Sequence, residues 1–181
     1  MPENITTFSN NDSRSATKIA VLDTGVDYTH PDLAEKYRGG DNSWFDPYEE
    51  HDQPYDYLGH GTHITGTILG SRACGKYIGV APGAQWIAAK KANDSGEGTG
   101  SNTHRIFQWF MDPDGNPETD DAPDVVNCSW GNTLFHLFTP CFSYYRDDIR
   151  AWREVGIIPV FAAGNLGFFP LFLRINSCYL S

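Results

Sequence analysis

Lys18-Ile19-Ala20-Val21-Leu22-Asp23-Thr24-Gly25 is the stretch that decides the fold. Four consecutive apolar residues leave no polar face, the pattern of a strand covered on both sides of a sheet. Asp23 then emerges at the carboxyl end of that strand, the edge where open α/β sheets place their ligands. An aspartate there also serves as an ordinary turn or cap residue, yet its place behind a buried strand favours a functional role.

Working outward, three further stretches have strand character: Gln85 to Lys90, Asp124 to Ser129, and Ile157 to Ala163. Between them lie helical patterns. The small-residue run Gly59 to Ile68 reads as a buried helix opened by His60. A second helix is expected between Asn102 and Phe110, with Ile106, Phe107 and Phe110 on its apolar face, and a third over Asp147 to Val155, with Ile149, Trp152 and Val155 on one side. Strands alternating with helices predict the α/β class: a doubly wound, mostly parallel sheet with helices on both faces and right-handed crossovers.

Val26 to Leu33 reads as a turn, because Pro31 biases His30 away from helix. Arg38 to Leu58 is a long loop carrying Trp44, Phe45, Tyr48, Tyr55 and Tyr57, and loops of this length are commonly functional. Residues 1–17 are polar and aperiodic, a flexible leader in this reading. Residues 18–165 form the globular part, and 166–181 read as an aberrant or truncated tail, so the C-terminal part of the sheet is expected to be missing.

The 181 residues, 40% of them hydrophobic, fit one domain. A net charge of −10, with no basic run longer than Lys90-Lys91, argues against a nucleic-acid or anionic-membrane surface. No apolar stretch reaches transmembrane length, and the first ten residues lack a signal-peptide pattern, so the chain reads as cytosolic or as internal to a longer precursor. Cys74, Cys128, Cys141 and Cys178 show no CxxC spacing, which removes a zinc ribbon and leaves pairing open.

A histidine at a helix start, flanked by Gly59 and Gly61, can act as a general base near neutral pH, although it can equally be a cap. A metal hydrolase built on Asp23, Asp32, His60 and His63 lacks the glutamate of the HExxH pattern. The glycine-rich loop Asn93 to Gly100 lacks the lysine of a P-loop, so it does not support nucleotide binding. Its backbone could pair with an extended peptide.

Taken in order, Asp23-Thr24-Gly25 with His30-Pro31-Asp32-Leu33, His60-Gly61-Thr62-His63 with Gly66-Thr67, Ile78 to Ala84, Asn127-Cys128-Ser129-Trp130-Gly131 and Ala162-Ala163-Gly164-Asn165 resemble the subtilase family, nearest its bacillopeptidase F-like branch. The likeness runs from Lys18 to Asn165. It implies a serine endopeptidase in which Asp23 orients His60, His60 is the general base and Asn165 donates to the oxyanion, in the chain order Asp, His, Ser. It also implies that Ser129, Trp130 and Gly131 line the P1 pocket, and that Ser95 to Gly100, including Gly96 and Gly98, add the substrate as a strand. The implied partner is a polypeptide in extended conformation, and catalysis would need no cofactor.

Family members hold structural calcium through a loop after the histidine helix and an aspartate near the position of Asp32. Here the loop Ser71 to Tyr77 offers little carboxylate or amide oxygen, which argues against that site. The family carries its nucleophile in a Gly-Thr-Ser motif, and this chain contains none. The expectation is therefore a fragment of a secreted, extracellular protease precursor, silent on its own. A non-catalytic peptide-binding pseudoprotease is the alternative.

Overall fold

β1 (Lys18–Asp23) is buried at all six positions, the four apolar ones as their unbroken run requires and the charged Lys18 and Asp23 at its ends with them. The computed structural model of the chain describes residues 16–73, 75–76, 78–131, 144–162 and 165. Apart from Ala16 and Thr17, the leader read over 1–17 lies outside the described residues, as does the whole tail read over 166–181.

The other strands are β2 (Trp44–Phe45), β3 (Gln85–Lys90), β4 (Val125–Cys128) and β5 (Ile158–Phe161), and the helices are α1 (His60–Leu69), α2 (Gly100–Met111) and α3 (Arg146–Glu154). All pairings are parallel, and the sheet order is β2-β3-β1-β4-β5. Side chains alternate along each strand, so one sheet builds two cores. Ala20, Leu22, Ile87 and Ala89 face α2 and α3, joining Ile106, Phe107, Phe110, Ile149 and Trp152. Ile19, Val21, Trp86 and Ala88 face the other way, with Leu33 and with Leu69 of α1. Helices on both faces follow, as the alternation of elements predicts.

Each fully buried Leu or Ile in these cores is worth about 1.5–3 kcal/mol. The buried indoles also keep their N–H groups satisfied. Trp86 Nε1 donates to Leu33 O at 2.9 Å, and Trp152 Nε1 to Phe107 O at 2.8 Å.

Beside small shifts at the ends of other elements, three details depart from expectation. The loop Arg38 to Leu58 contains β2, two residues long, with Trp44 beside Ala88 and Phe45 beside Ala89. A 3-10 turn over Ala34–Lys36 follows the His30 turn. Helix α2 starts at Gly100, two residues early, because the Thr99 side chain caps it by accepting from Asn102 N at 3.1 Å.

Strand order places the site. From β1 the chain leaves toward β2 and β3 on one side, whereas from β4 it leaves toward β5 on the other. The loops after β1 and β4 therefore part, and a crevice opens at their carboxyl ends. Asp23 ends β1, and Ser129-Trp130-Gly131 follows β4, so both reach that crevice.

Candidate active site

Asp23 is 3% exposed and its Oδ1 lies 2.6 Å from His60 Nδ1. The same oxygen accepts from Thr24 N at 2.8 Å. Asp23 Oδ2 is buried with no hydrogen-bond partner among the described residues. With Nδ1 facing a carboxylate, the imidazole carries its proton there, and Nε2 is left as the basic nitrogen. The His60 side chain is 47% exposed, so that nitrogen can meet another molecule.

Local sequence explains the fit between β1 and α1. A Cβ on Gly61 would stand 2.0 Å from Gly25 O, and one on Gly25, at φ 114°, would stand 1.7 Å from Tyr55 O. Only glycine at both positions lets the helix start press against the end of the strand.

Asp56 then binds the pieces together. Its Oδ1 accepts from Thr24 Oγ1 at 2.7 Å, Leu58 N at 3.1 Å and Gly59 N at 2.8 Å, while its Oδ2 accepts from Thr62 N at 2.8 Å and Thr62 Oγ1 at 2.6 Å. Thr24 Oγ1 in turn accepts from Gly61 N at 3.0 Å. Burial alone would raise the Asp56 carboxyl, but the hydrogen bonds from Thr62, Thr24 and Gly59 outweigh it and hold the group below the usual carboxylate range. In the sequence Asp56 is one more polar residue of the long loop. The signal that marks it is an acidic residue four positions before a helix-opening histidine, placed to satisfy the free N–H groups of the first turn.

The two walls of the crevice are unlike. Gly96 and Gly98 are exposed, and Gly98 makes no backbone–backbone hydrogen bond among the described residues. The preceding turn is closed instead by Asn93, whose Oδ1 accepts from Ser95 N and Glu97 N. On the opposite wall, Trp130 Nε1 donates to Leu22 O at 2.9 Å, and Ser129 Oγ accepts from Asn127 Nδ2 at 2.9 Å. Gly131 is exposed. Between the walls the Lys91 ammonium lies 4.4 Å above the Trp130 ring. Asn165 is exposed beyond β5, and the register of Cys128 with Phe161 brings that strand to the same edge of the sheet. The structure thus pairs Asp23 with His60 and places Gly98 and Trp130 beside Lys91, while Asn165 is exposed beyond β5.

Metal readings fare differently. His63 and Asp32 line a cavity of about 440 Å³ with His30, apart from the Asp23–His60 pair, so the four-residue metal site does not assemble. Asp32 Oδ1 accepts from Ala73 N at 2.7 Å and Ser71 Oγ at 3.3 Å. Among the described residues the loop thus brings hydrogen-bond donors, not further oxygen acceptors, to Asp32. Glu50, His51 and Asp94 also converge, but the buried Lys90 ammonium already sits among them, 2.7 Å from Glu50 Oε2 and bonded to Asp94. Cys128 is a free buried thiol, pushed up by burial. Cys74, Cys141 and Cys178 lie outside the described residues.

Known proteins resemble this chain over most of its length. The model of the Subtilase family, Peptidase_S8, matches residues 14–176. Bacillopeptidase F of Bacillus subtilis (strain 168) is 42% identical over 169 residues, which cover 86% of this chain and 11% of that protein. Subtilisin Savinase of Lederbergia lenta is 43% identical over 153 residues, 84% of this chain and 49% of that one. The crystal structure of a cold adapted subtilisin-like serine proteinase superposes with a TM-score of 0.62 at 25% identity, over 82% of this chain and 46% of its own. The chain spans less than half the length of each of these relatives.

Proposed function

This chain belongs to the subtilase family, and from that premise we propose that it carries the acid–base half of a serine endopeptidase. The observation that supports this best is the 2.6 Å contact between His60 Nδ1 and buried Asp23 Oδ1. Asp23 fixes the tautomer and stabilises the imidazolium that forms when Nε2 accepts a proton from a serine hydroxyl attacking a peptide carbonyl. The same proton then passes to the leaving amine. Asn165 donates to the carbonyl oxygen as it becomes negative, a contribution of roughly 10²- to 10³-fold, which is the size of effect known for such a donor in subtilisin itself.

The substrate is an extended polypeptide, laid between Gly96–Gly98 and Ser129–Gly131. No cofactor enters these steps. The 181 residues hold no Gly-Thr-Ser, so the nucleophile must come from elsewhere and the chain by itself is silent. That same feature supports a second reading, a pseudoprotease that binds peptides without cutting them. Secretion as part of a longer precursor is the location in keeping with the first reading, though the relatives include both a "Major intracellular serine protease" and a "Minor extracellular protease Vpr".

Proton NMR of the chain tests the pairing: a far-downfield Nδ1 proton is expected, and it should vanish in Asp23→Ala. Incubation with a fluorogenic peptide tests the silence. Turnover that disappears in His60→Ala would show that the chain needs no further serine.

A further inference from the structure

We propose that Lys91 is a specificity-determining residue of the peptide cleft, an ammonium on the cleft floor that selects a peptide bearing an Asp or Glu side chain between Gly98 and Trp130. This rests on the reading of that cleft as a peptide site.

Four observations carry it. First, Lys91 Nζ sits between the two walls: 4.4 Å from the centre of the Trp130 ring, and 3.7 Å from where a Gly98 Cβ would stand. Second, among the described residues no oxygen accepts a hydrogen bond or ion pair from that ammonium. Lys90, one residue earlier and fully buried, is by contrast bonded to both Glu50 and Asp94. Third, Lys91 is half-buried, and its surroundings include the buried thiol Cys128 and the carboxylate of Asp23, neither within ion-pair distance. Fourth, its backbone is pinned, with Lys91 N donating to Asp23 O at 2.8 Å and Lys91 O accepting from Tyr48 Oη at 2.6 Å, so the stem leaves the sheet edge from a fixed point.

An ammonium has three donors, and the face of an indole answers only part of its charge. A partly desolvated cation without an acceptor is costly, and a carboxylate brought by a ligand removes that cost. Loss of water around Lys91 also lowers its proton affinity, with Cys128 and Asp23 opposing that shift. The position of the ammonium beside Gly98 puts it next to any strand that pairs with that residue, where a side chain directed at the floor meets it. The protein as a whole is acidic, so the preference is local and owes nothing to long-range attraction.

The test uses the full 181-residue chain and a set of blocked, fluorescein-labelled alanine-rich octapeptides, each with one Glu or one Gln at successive positions. Fluorescence anisotropy at physiological salt gives the affinities. At the position that enters between Gly98 and Trp130, Glu should bind about tenfold or more tighter than Gln, the effect of one charge-assisted hydrogen bond. Lys91→Met, which keeps the stem on Trp130, should erase that ratio while leaving the Gln peptides bound, and Lys91→Arg should restore it. Equal binding of Glu and Gln peptides at every position overturns the role of Lys91 but leaves the peptide cleft standing. A Glu preference that survives Lys91→Met in a chain with an unchanged melting profile overturns it as well. Binding of no peptide at all sinks both the cleft and the inference.

Discussion

Two regions stand side by side at the carboxyl edge of the sheet and are built on opposite plans. At the β1–α1 junction, Thr24, Asp56, Gly59, Gly61 and Thr62 answer one another with hydrogen bonds of 2.6 to 3.0 Å, and His60 is held against Asp23. Across the crevice, among the described residues, Gly98 makes no backbone–backbone hydrogen bond and Lys91 is a cation over an aromatic ring with no oxygen acceptor. The first region answers its polar groups within the chain, Asp23 Oδ2 excepted; the second is completed by what it binds. Polar groups are satisfied where geometry must be preset and left open where a ligand will supply the partner.

Four substitutions probe that contrast. Gly61→Ala should have the largest effect, because its Cβ meets Gly25 O at 2.0 Å and the backbone must shift: a loss of about 3 kcal/mol or more in urea unfolding, together with the downfield His60 proton. Asp56→Asn should cost about 1.5–3 kcal/mol, since the amide presents one donor group to an array of donors. It should also change the acid limb. The folded Asp56 has a depressed pKa, so its stabilising contribution is present above the unfolded value of 3.8 and is lost as pH falls below it. Wild-type stability should therefore drop through that range more steeply than that of Asp56→Asn.

On the other wall the effects on stability should be smaller and the effects on binding larger. Gly98→Ala places a Cβ 2.9 Å from Lys91 O, and should cost about 1 kcal/mol while weakening every peptide alike. Lys91→Met should change stability by less than about 1 kcal/mol, because the lost contact with Trp130 is offset by relief of a desolvated charge. A larger loss in circular-dichroism melting would mean that Lys91 is answered within the fold, and the contrast between the two regions would fail.

The first plan is easier to read in the sequence than the second. Ile19 to Leu22 and Gln85 to Lys90 announce their burial by composition, and four of the five described strands follow from apolar runs, although β5 is only half covered. Asp23 and His60 stand out because a polar residue at the end of a buried strand and a histidine among glycines are both unusual. β2 is hidden because two residues, Trp44 and Phe45, make no periodic pattern; only their pairing with Ala88 and Ala89 defines them. Asp56 is hidden because its five donors come from separate segments, the end of β1 and the start of α1. Lys90-Lys91 reads as one basic pair, whereas strand alternation sends the two ammonium groups to opposite surroundings, one among carboxylates and one over an indole.

The sheet order also has a consequence in time. Among the described strands β1 comes first in the chain and stands at the centre of the sheet, yet both its neighbours arrive much later: Lys18 lies beside Gln85, and its backbone N–H binds Asp124, 106 residues away. Contacts so distant must close large loops before they return any energy, which makes nucleation slow. During that wait the apolar run Ile19 to Leu22 has no native partner and remains adhesive. Refolding from denaturant should therefore be slow and concentration-limited, with yield set by how dilute the chain is kept while β1 waits for β3 and β4.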